Sequence, residues 1–129
     1  MKKNFFEKNF PSIDYIIKRW PYSRHILEKY IISSYKKPDL FGLSMACLEN
    51  VNHKNKKNIS SCLRKISKIC SKNTFNNYHN DHHTKSVVLL SAIIGKILRI
   101  NSNDFFLLII LALAHDINHQ GSKIINKPY

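Results

Sequence analysis

The sequence predicts an all-α domain made of multiple helices. Apolar residues recur at helical spacing through most of the chain, and the alternation of apolar and polar residues that marks β-strands is nearly absent. Prolines and asparagine-rich breaks separate the periodic segments. With 129 residues, 43% of them hydrophobic, the chain is long enough for one domain with a modest core. We therefore expect residues 1–129 to form a single domain.

The first four predicted helices each follow a residue that can cap a helix N-terminus. Ser12 precedes IDYIIKRW, which Pro21 ends, and Ser23 precedes RHILEKYIISSY. Asp39 opens LFGLSMACLENV, and Ser60 opens SCLRKISKIC. We assign residues 1–58 to the N-terminal helices of the domain.

Two further helices are predicted in residues 59–129, the part of the chain that carries the chemically informative motifs. One runs from about Asn80 to Arg99, and Ser102 caps another that extends to about His115. The second is apolar on nearly all sides, so it must be covered all round to be buried. We expect one side to stay bare and to serve self-association or a protein partner. Trp20 is expected to anchor the first helix in the core.

The charge and the cysteines limit which partners and which cellular compartment are expected. The net charge of +13 and a pI of about 9.8 favour anionic partners, but the lysines occur in every segment and no nucleic-acid reading motif is present. We therefore do not expect a nucleic acid as a partner. Three cysteines form no CxxC pair, the N-terminus lacks a signal peptide, and the longest apolar run is too short to span a bilayer. These features predict a cytoplasmic protein without a membrane span.

Two histidine clusters stand out. In NNYHNDHHTKSVV, residues 76–88, and the helix that follows, His79 and His83 share a helical stripe with Val87, Leu90, Ile94 and Ile97, which predicts that both imidazoles face inward. Alone, this stretch also fits a polar helix entrance with a satisfied core histidine. A second stretch, LALAHDINHQG, ends an apolar helix in a His–Asp pair. An aspartate at the C-terminus of a buried helix is unfavourable unless a cation compensates its charge, so a metal site is the sharper interpretation of the two clusters.

The same residues resemble a known family. YHNDHH at 78–83 is similar to the Y-H-N-x-x-H element of class I 3′,5′-cyclic nucleotide phosphodiesterases, and HDINHQG at 115–121 is similar to their H-D-x-x-H-x-G element. Both elements belong to the wider HD metal-dependent phosphohydrolase superfamily. The resemblance covers roughly residues 60 to 125 and implies an all-α phosphodiester hydrolase in which a metal-activated hydroxide attacks phosphorus.

The resemblance implies two divalent metal ions. His83, His115 and Asp116 would bind the first, usually zinc or iron, and Asp116 would bridge to a second, usually magnesium or manganese. Imidazole and carboxylate ligands suit such ions better than a thiol-selective metal. The substrate implied is a cyclic nucleotide or another phosphodiester.

The resemblance also implies roles in catalysis and substrate binding. His79 would be the general acid that protonates the departing 3′ oxygen, and His119 would lie beside the waters of the second ion. Tyr78 and Asn80 would contact substrate and shape the helix entrance.

The chain departs from the family after its second motif. The family supplies another metal-binding aspartate and its base pocket from a C-terminal half, and no Asp or Glu follows Asp116 here. We therefore expect the N-terminal half only of such a domain, apparently truncated. The alternative function is a non-catalytic helical module that a metal stabilises and that binds a protein partner.

Overall fold

Six α-helices make up the part of the chain that the computed structural model describes, namely residues 13–32, 39–49, 51, 54–70 and 80–117. We label them α1 to α6 in chain order. The first three are α1 (Ile13–Lys18), α2 (Arg24–Ile32) and α3 (Leu40–Cys47), and the last three are α4 (Lys56–Cys70), α5 (Asp81–Ile97) and α6 (Ser102–Ala114). These ranges contain no strand, and the predicted all-α fold class is confirmed.

Two predicted helix starts need correction. Helix α4 begins at Lys56, four residues before the expected cap Ser60. Helix α6 is capped by Asn101, whose Oδ1 accepts the N–H of Asp104 at 2.9 Å, so that Ser102 is already helical. Asn and Ser are both good caps, and the sequence alone did not separate the two neighbours.

One hydrophobic core draws buried side chains from all six helices, with α5 in the middle. Helix α5 packs against α1, α2, α3 and most extensively against α6. The side chains that are completely buried in this core come from five helices and include Ile16, Leu43, Leu63, Val88, Leu89 and Ile109. Because four other helices pack against α5, the first turn of α5, which carries His83, has a fixed position in the fold.

Helices α5 and α6 form an antiparallel hairpin joined by residues 98–101. They approach closely at Gly95, where an added Cβ would lie 2.9 Å from Leu108 Cδ2 and 3.0 Å from Phe105 Cδ2. Phe105 is buried and its ring cannot move aside easily. The hairpin places the start of α5 beside the end of α6, which brings the two histidine motifs together across 32 residues of sequence.

The face of α5 that points to the core differs from the predicted one. The core face carries Val88, Leu89, Ala92 and Ile93. Three residues of the predicted stripe are instead exposed: Leu90 by 41%, Ile94 by 55% and Ile97 by 49%. The predicted stripe is therefore wrong for most of the helix, and His83 lies at the edge of the core.

The expected bare side of α6 is present. Leu107 is 53% exposed and Leu111 is 65% exposed, and the two residues lie one helical turn apart on the same side of the helix. The expectation for Trp20 is wrong, because 43% of that residue is accessible to solvent. Within the described ranges, no helix combines the length and the apolar character that crossing a membrane would need.

A lysine lies in the core at the packing of α5 on α2. Lys85 is only 2% exposed, and its Nζ donates a hydrogen bond to the backbone carbonyl of Ile31 at 3.2 Å. Burial lowers the pKa of Lys85, while the charge of the buried Asp81 carboxylate, one turn earlier, acts in the opposite direction. The lysine thus ties the last turn of α2 to the first two turns of α5.

Candidate metal centre

Three side chains from the two histidine motifs meet at the open end of the α5–α6 hairpin. His115 Nε2 lies 3.0 Å from Asp116 Oδ2 and 3.2 Å from His83 Nε2, and His83 Nε2 lies 3.4 Å from Asp116 Oδ2. Among the described residues, these three form the group whose ligand atoms all lie within 4.8 Å of one another. The structure therefore brings together the three residues that the resemblance implies as ligands of the first ion.

The spacing of these three atoms fits a tetrahedral cation. Bonds of about 2.0–2.1 Å in tetrahedral geometry separate neighbouring ligand atoms by about 3.3 Å. The three observed separations run from 3.0 to 3.4 Å. A zinc-sized ion can therefore contact all three atoms with little movement of the side chains.

The tautomer of His115 is set by the helix that precedes it. Its Nδ1 lies 2.6 Å from the carbonyl oxygen of Ala112, which can only accept, so Nδ1 carries the proton. In the neutral ring Nε2 then presents its lone pair to the cluster. A backbone carbonyl that fixes the tautomer in this way is the usual arrangement for a metal-binding histidine.

The electrostatics of the cluster favour a proton or a cation between its three ligand atoms. Asp116 is the most buried of the three, with 10% of its side chain exposed, against 22% for His83 and 30% for His115. A carboxylate oxygen and an imidazole lone pair that lie 3.0 Å apart repel each other unless a proton or a cation lies between them. The dipole of α6 adds further negative potential at this end of the helix.

Asn80 orients the His83 backbone. Its Oδ1 accepts the N–H of His83 at 3.0 Å and its carbonyl accepts the Thr84 hydroxyl at 3.1 Å, so Asn80 is the N-cap of α5. The sequence predicted a contact of Asn80 with substrate, which stays a prediction. The cap alone gives the residue a structural role beside the cluster.

We predict that Asn80→Ala weakens metal binding as well as stability. Loss of an N-cap costs about 1 kcal/mol of stability, and the freed first turn of α5 lets His83 drift from the cluster. The matched control is Asn101→Ala, which removes the equivalent cap of α6 at the far end of the hairpin. Urea unfolding should show similar losses for both variants, whereas titration with zinc should show weaker binding for Asn80→Ala only. Equal zinc affinities would show that the cap does not orient His83.

Cys70 contributes to the site in a way that the sequence did not signal. Its Sγ donates to the carbonyl of Leu113 at 3.0 Å and so fastens the end of α4 to the last turn of α6. Burial raises the pKa of the Cys70 thiol to about 11, and the Asp116 carboxylate acts in the same direction. At neutral pH the sulfur is therefore a thiol that holds the backbone of α6 rather than a thiolate ligand. No spacing of cysteines in the sequence could have revealed this contact.

Three predicted site residues, Tyr78, His79 and His119, lie outside the described residues. Their roles as substrate contact, general acid and neighbour of a second ion stay predictions. The same holds for the second ion itself, for which the described residues offer no further cluster of His, Cys, Asp or Glu.

Comparison with known proteins adds nothing to this geometry. No protein-family model, no curated protein and no solved structure matches the chain. The resemblance to cyclic nucleotide phosphodiesterases therefore rests on the two motifs alone.

Proposed function

We propose that the chain is a metal-dependent phosphodiester hydrolase of the cyclic-nucleotide phosphodiesterase type, with His83, His115 and Asp116 as ligands of its first ion. The observation that carries the proposal is the convergence of these three side chains, at separations of 3.0 to 3.4 Å, from motifs 32 residues apart. A buried structural pairing would not require two imidazole nitrogens and a carboxylate oxygen to point at one another.

The described residues offer the cluster three protein ligands, a number that favours catalysis over a purely structural site. Structural zinc sites are closed by four protein ligands, whereas catalytic sites keep one position for water or substrate. The cluster lies at the surface, because His115 is exposed at the end of α6. A small ligand can therefore reach it from solvent.

The chain's own residues have distinct tasks in this proposal. A divalent cation held by these three ligands would supply a nucleophile at neutral pH and would offset the charge of the phosphoryl oxygens. His115 holds its Nε2 in place through the bond from Nδ1 to Ala112, and Asp116 supplies the negative charge that selects a cation. His79 donates the proton that the leaving oxygen needs, as the resemblance implies.

The alternative is a helical module in which the metal has only a stabilising role. The exposed apolar side chains of α5 and α6, Leu90, Ile94, Leu107 and Leu111, favour it. Such a face suits a protein partner. The two functions differ in whether metal-loaded protein turns over a phosphodiester.

The test is hydrolysis of bis(p-nitrophenyl) phosphate, cyclic AMP and cyclic GMP by protein freed of metal and then loaded with zinc, manganese or magnesium. Activity that depends on the added ion and disappears in His83→Ala supports the proposal. Full metal occupancy without turnover of any of the three substrates would instead support the module.

For His79→Ala we predict a fall in turnover of roughly 10²–10⁴-fold, the range that general acid catalysis contributes, with the bound metal unchanged. The measurement is turnover and metal content on the same preparation. His25→Ala replaces an exposed histidine of α2; it is the matched control and should alter neither quantity. If the metal is lost together with the activity, His79 is a ligand and the assignment as proton donor is wrong.

A further inference from the structure

Helix α4 carries a basic face whose residues are spread out in the sequence but aligned in the fold. Residues 54–70 contain six Lys or Arg and no Asp or Glu. All six basic residues are exposed: Lys54, Lys56, Lys57, Arg64, Lys65 and Lys68. At 100° per residue, Lys57, Arg64 and Lys68 lie within about 40° of one another and span about 16 Å of helix.

None of these six residues is neutralised by its surroundings in the described part of the chain. Other basic residues of the described ranges do form ion pairs, as in Arg24 with Glu28 and Lys96 with Asp14. No ion pair joins the α4 residues to an acidic side chain of the described ranges. A row of like charges on one helix is unfavourable by itself, so an anionic partner would relieve it.

The uncharged residues on this face suit a phosphate backbone. Asn58 and Ser61 are exposed between the basic residues and can donate to phosphate and sugar oxygens. Arg64 has a preferred orientation, since its guanidinium lies 4.1 Å from the centroid of the Phe41 ring. A guanidinium held in one plane is well suited to pair with a phosphate.

A membrane surface fits α4 less well. Amphipathic helices that bind bilayers insert their apolar face into the lipid. The apolar face of α4, with Ile59 and Leu63, is buried in the protein core and is not available. The exposed side offers a single large apolar residue, Ile69.

We propose that the basic face of α4, defined by Lys57, Ser61, Arg64, Lys65 and Lys68, binds the sugar–phosphate backbone of a nucleic acid without regard to its sequence. The contacts are electrostatic and made to the backbone, which is the part of a nucleic acid that every sequence shares. This surface is independent of the metal chemistry proposed above. It departs from the expectation, drawn from the scatter of lysines along the sequence, that nucleic acid is not a partner, and the experiment below decides between the two.

The test compares two triple variants of equal net charge by fluorescence anisotropy with a labelled mixed-sequence duplex and its single strand. One variant, Lys57→Gln with Lys65→Gln and Lys68→Gln, removes the three lysine charges of the face and leaves the contact between Arg64 and Phe41 in place. The matched control, Lys18→Gln with Lys29→Gln and Arg99→Gln, removes three exposed charges elsewhere. Circular dichroism should show the helical content of the wild type in both, because all six positions are exposed.

We expect the α4 variant to bind the duplex at least about tenfold more weakly than the wild type at about 50 mM salt. The slope of log affinity against log salt should become shallower by about 3, close to one unit per lost phosphate contact. The control should stay within about twofold of the wild type. Equal losses in both variants would assign binding to the overall charge of +13 and overturn the surface.

Two further outcomes overturn the proposal. One is wild-type protein that binds neither strand nor duplex at low salt. The other is binding of the wild type, but not of the α4 variant, to vesicles of phosphatidylserine and phosphatidylcholine while both proteins bind nucleic acid equally. That pattern would assign the face to an anionic membrane.

Discussion

Replacing His115 by alanine should remove most of the metal that the protein binds. The substitution deletes one of three ligands and leaves His83 and Asp116, whose atoms lie 3.4 Å apart, to hold the ion alone. Loss of a residue that merely supports a ligand typically lowers metal affinity by about 10–100-fold, so loss of a ligand should lower it by more than about 100-fold. Elemental analysis after dialysis against zinc, and calorimetric titration of metal-free protein, would measure the effect.

The matched control for this prediction is His82→Ala. His82 is the neighbour of His83 but points about 100° away around α5, and it is not part of the cluster. The His82→Ala variant should therefore bind zinc as the wild type does. A similar loss of zinc in both variants, or a wild-type protein that retains no zinc after dialysis, would show that the three side chains do not form a metal site.

Thermal unfolding provides a second measure of the same site. A ligand that binds only the folded state at about 100 times its dissociation constant stabilises it by about 2.7 kcal/mol. Zinc should therefore raise the Tm of the wild type and of His82→Ala but leave that of His115→Ala nearly unchanged. An equal rise in all three proteins would indicate binding at another place on the chain.

The sequence predicted the convergence of His83, His115 and Asp116 better than the inward face of the helix that carries His83. The three residues of the cluster follow from the motifs and from the hairpin, because a short link between two helices makes them antiparallel neighbours. Their relative positions did not depend on which stripe of α5 faces inward. The convergence of the three side chains was therefore predicted even though the stripe was wrong for most of α5.

The stripe was wrong because α5 carries apolar residues on its exposed side as well as on its core face, so that periodicity does not single out one face. Its core face includes the polar Asp81, Thr84 and Lys85, whereas Leu90 and Ile94 are exposed. Periodicity assigns apolar residues to the inside and cannot foresee a buried lysine that is satisfied by a carbonyl of another helix. The bond from Lys85 to Ile31 joins residues 54 apart, and no local pattern encodes it.

For the basic face of α4, in contrast, the spacing of the basic residues in the sequence already indicates that they share one side of a helix. Lys57, Arg64 and Lys68 follow the i, i+7, i+11 spacing of a single helical face. Judged along the chain, the lysines are scattered; judged on a helix that begins at Lys56, they align. The misplaced start of this helix at Ser60 left Lys57 outside it and hid the alignment.

The largest loss of stability outside the metal centre is expected for Lys85→Ala. The substitution removes three buried methylene groups, at about 0.8 kcal/mol each, and leaves the Ile31 carbonyl without its donor, at about 1–3 kcal/mol. The sum is about 3–5 kcal/mol, a large part of the stability of a small domain. Lys85→Met keeps most of the volume and should lose only the polar part. Urea unfolding of the three proteins would separate the two contributions, and a loss below about 1 kcal/mol in Lys85→Ala would show that the site relaxes around the cavity.

The wild type and Lys85→Met should also differ in how their stability depends on pH. Burial lowers the pKa of Lys85 in the folded state, and in the unfolded chain the amine returns to its ordinary value of 10.5. Between these two values the unfolded state binds more protons, so the stability contributed by Lys85 rises with pH across that window and is constant below it. The neutral amine still donates to the Ile31 carbonyl but no longer carries a buried charge.

The free energy of unfolding of the wild type should therefore increase relative to that of Lys85→Met as the pH approaches 10.5, measured with a chelator present so that the metal centre does not contribute. The buried thiols of Cys47 and Cys70 titrate alike in both proteins and cancel in the difference. A difference that does not change with pH would show that water reaches Lys85 and that its charge is not buried.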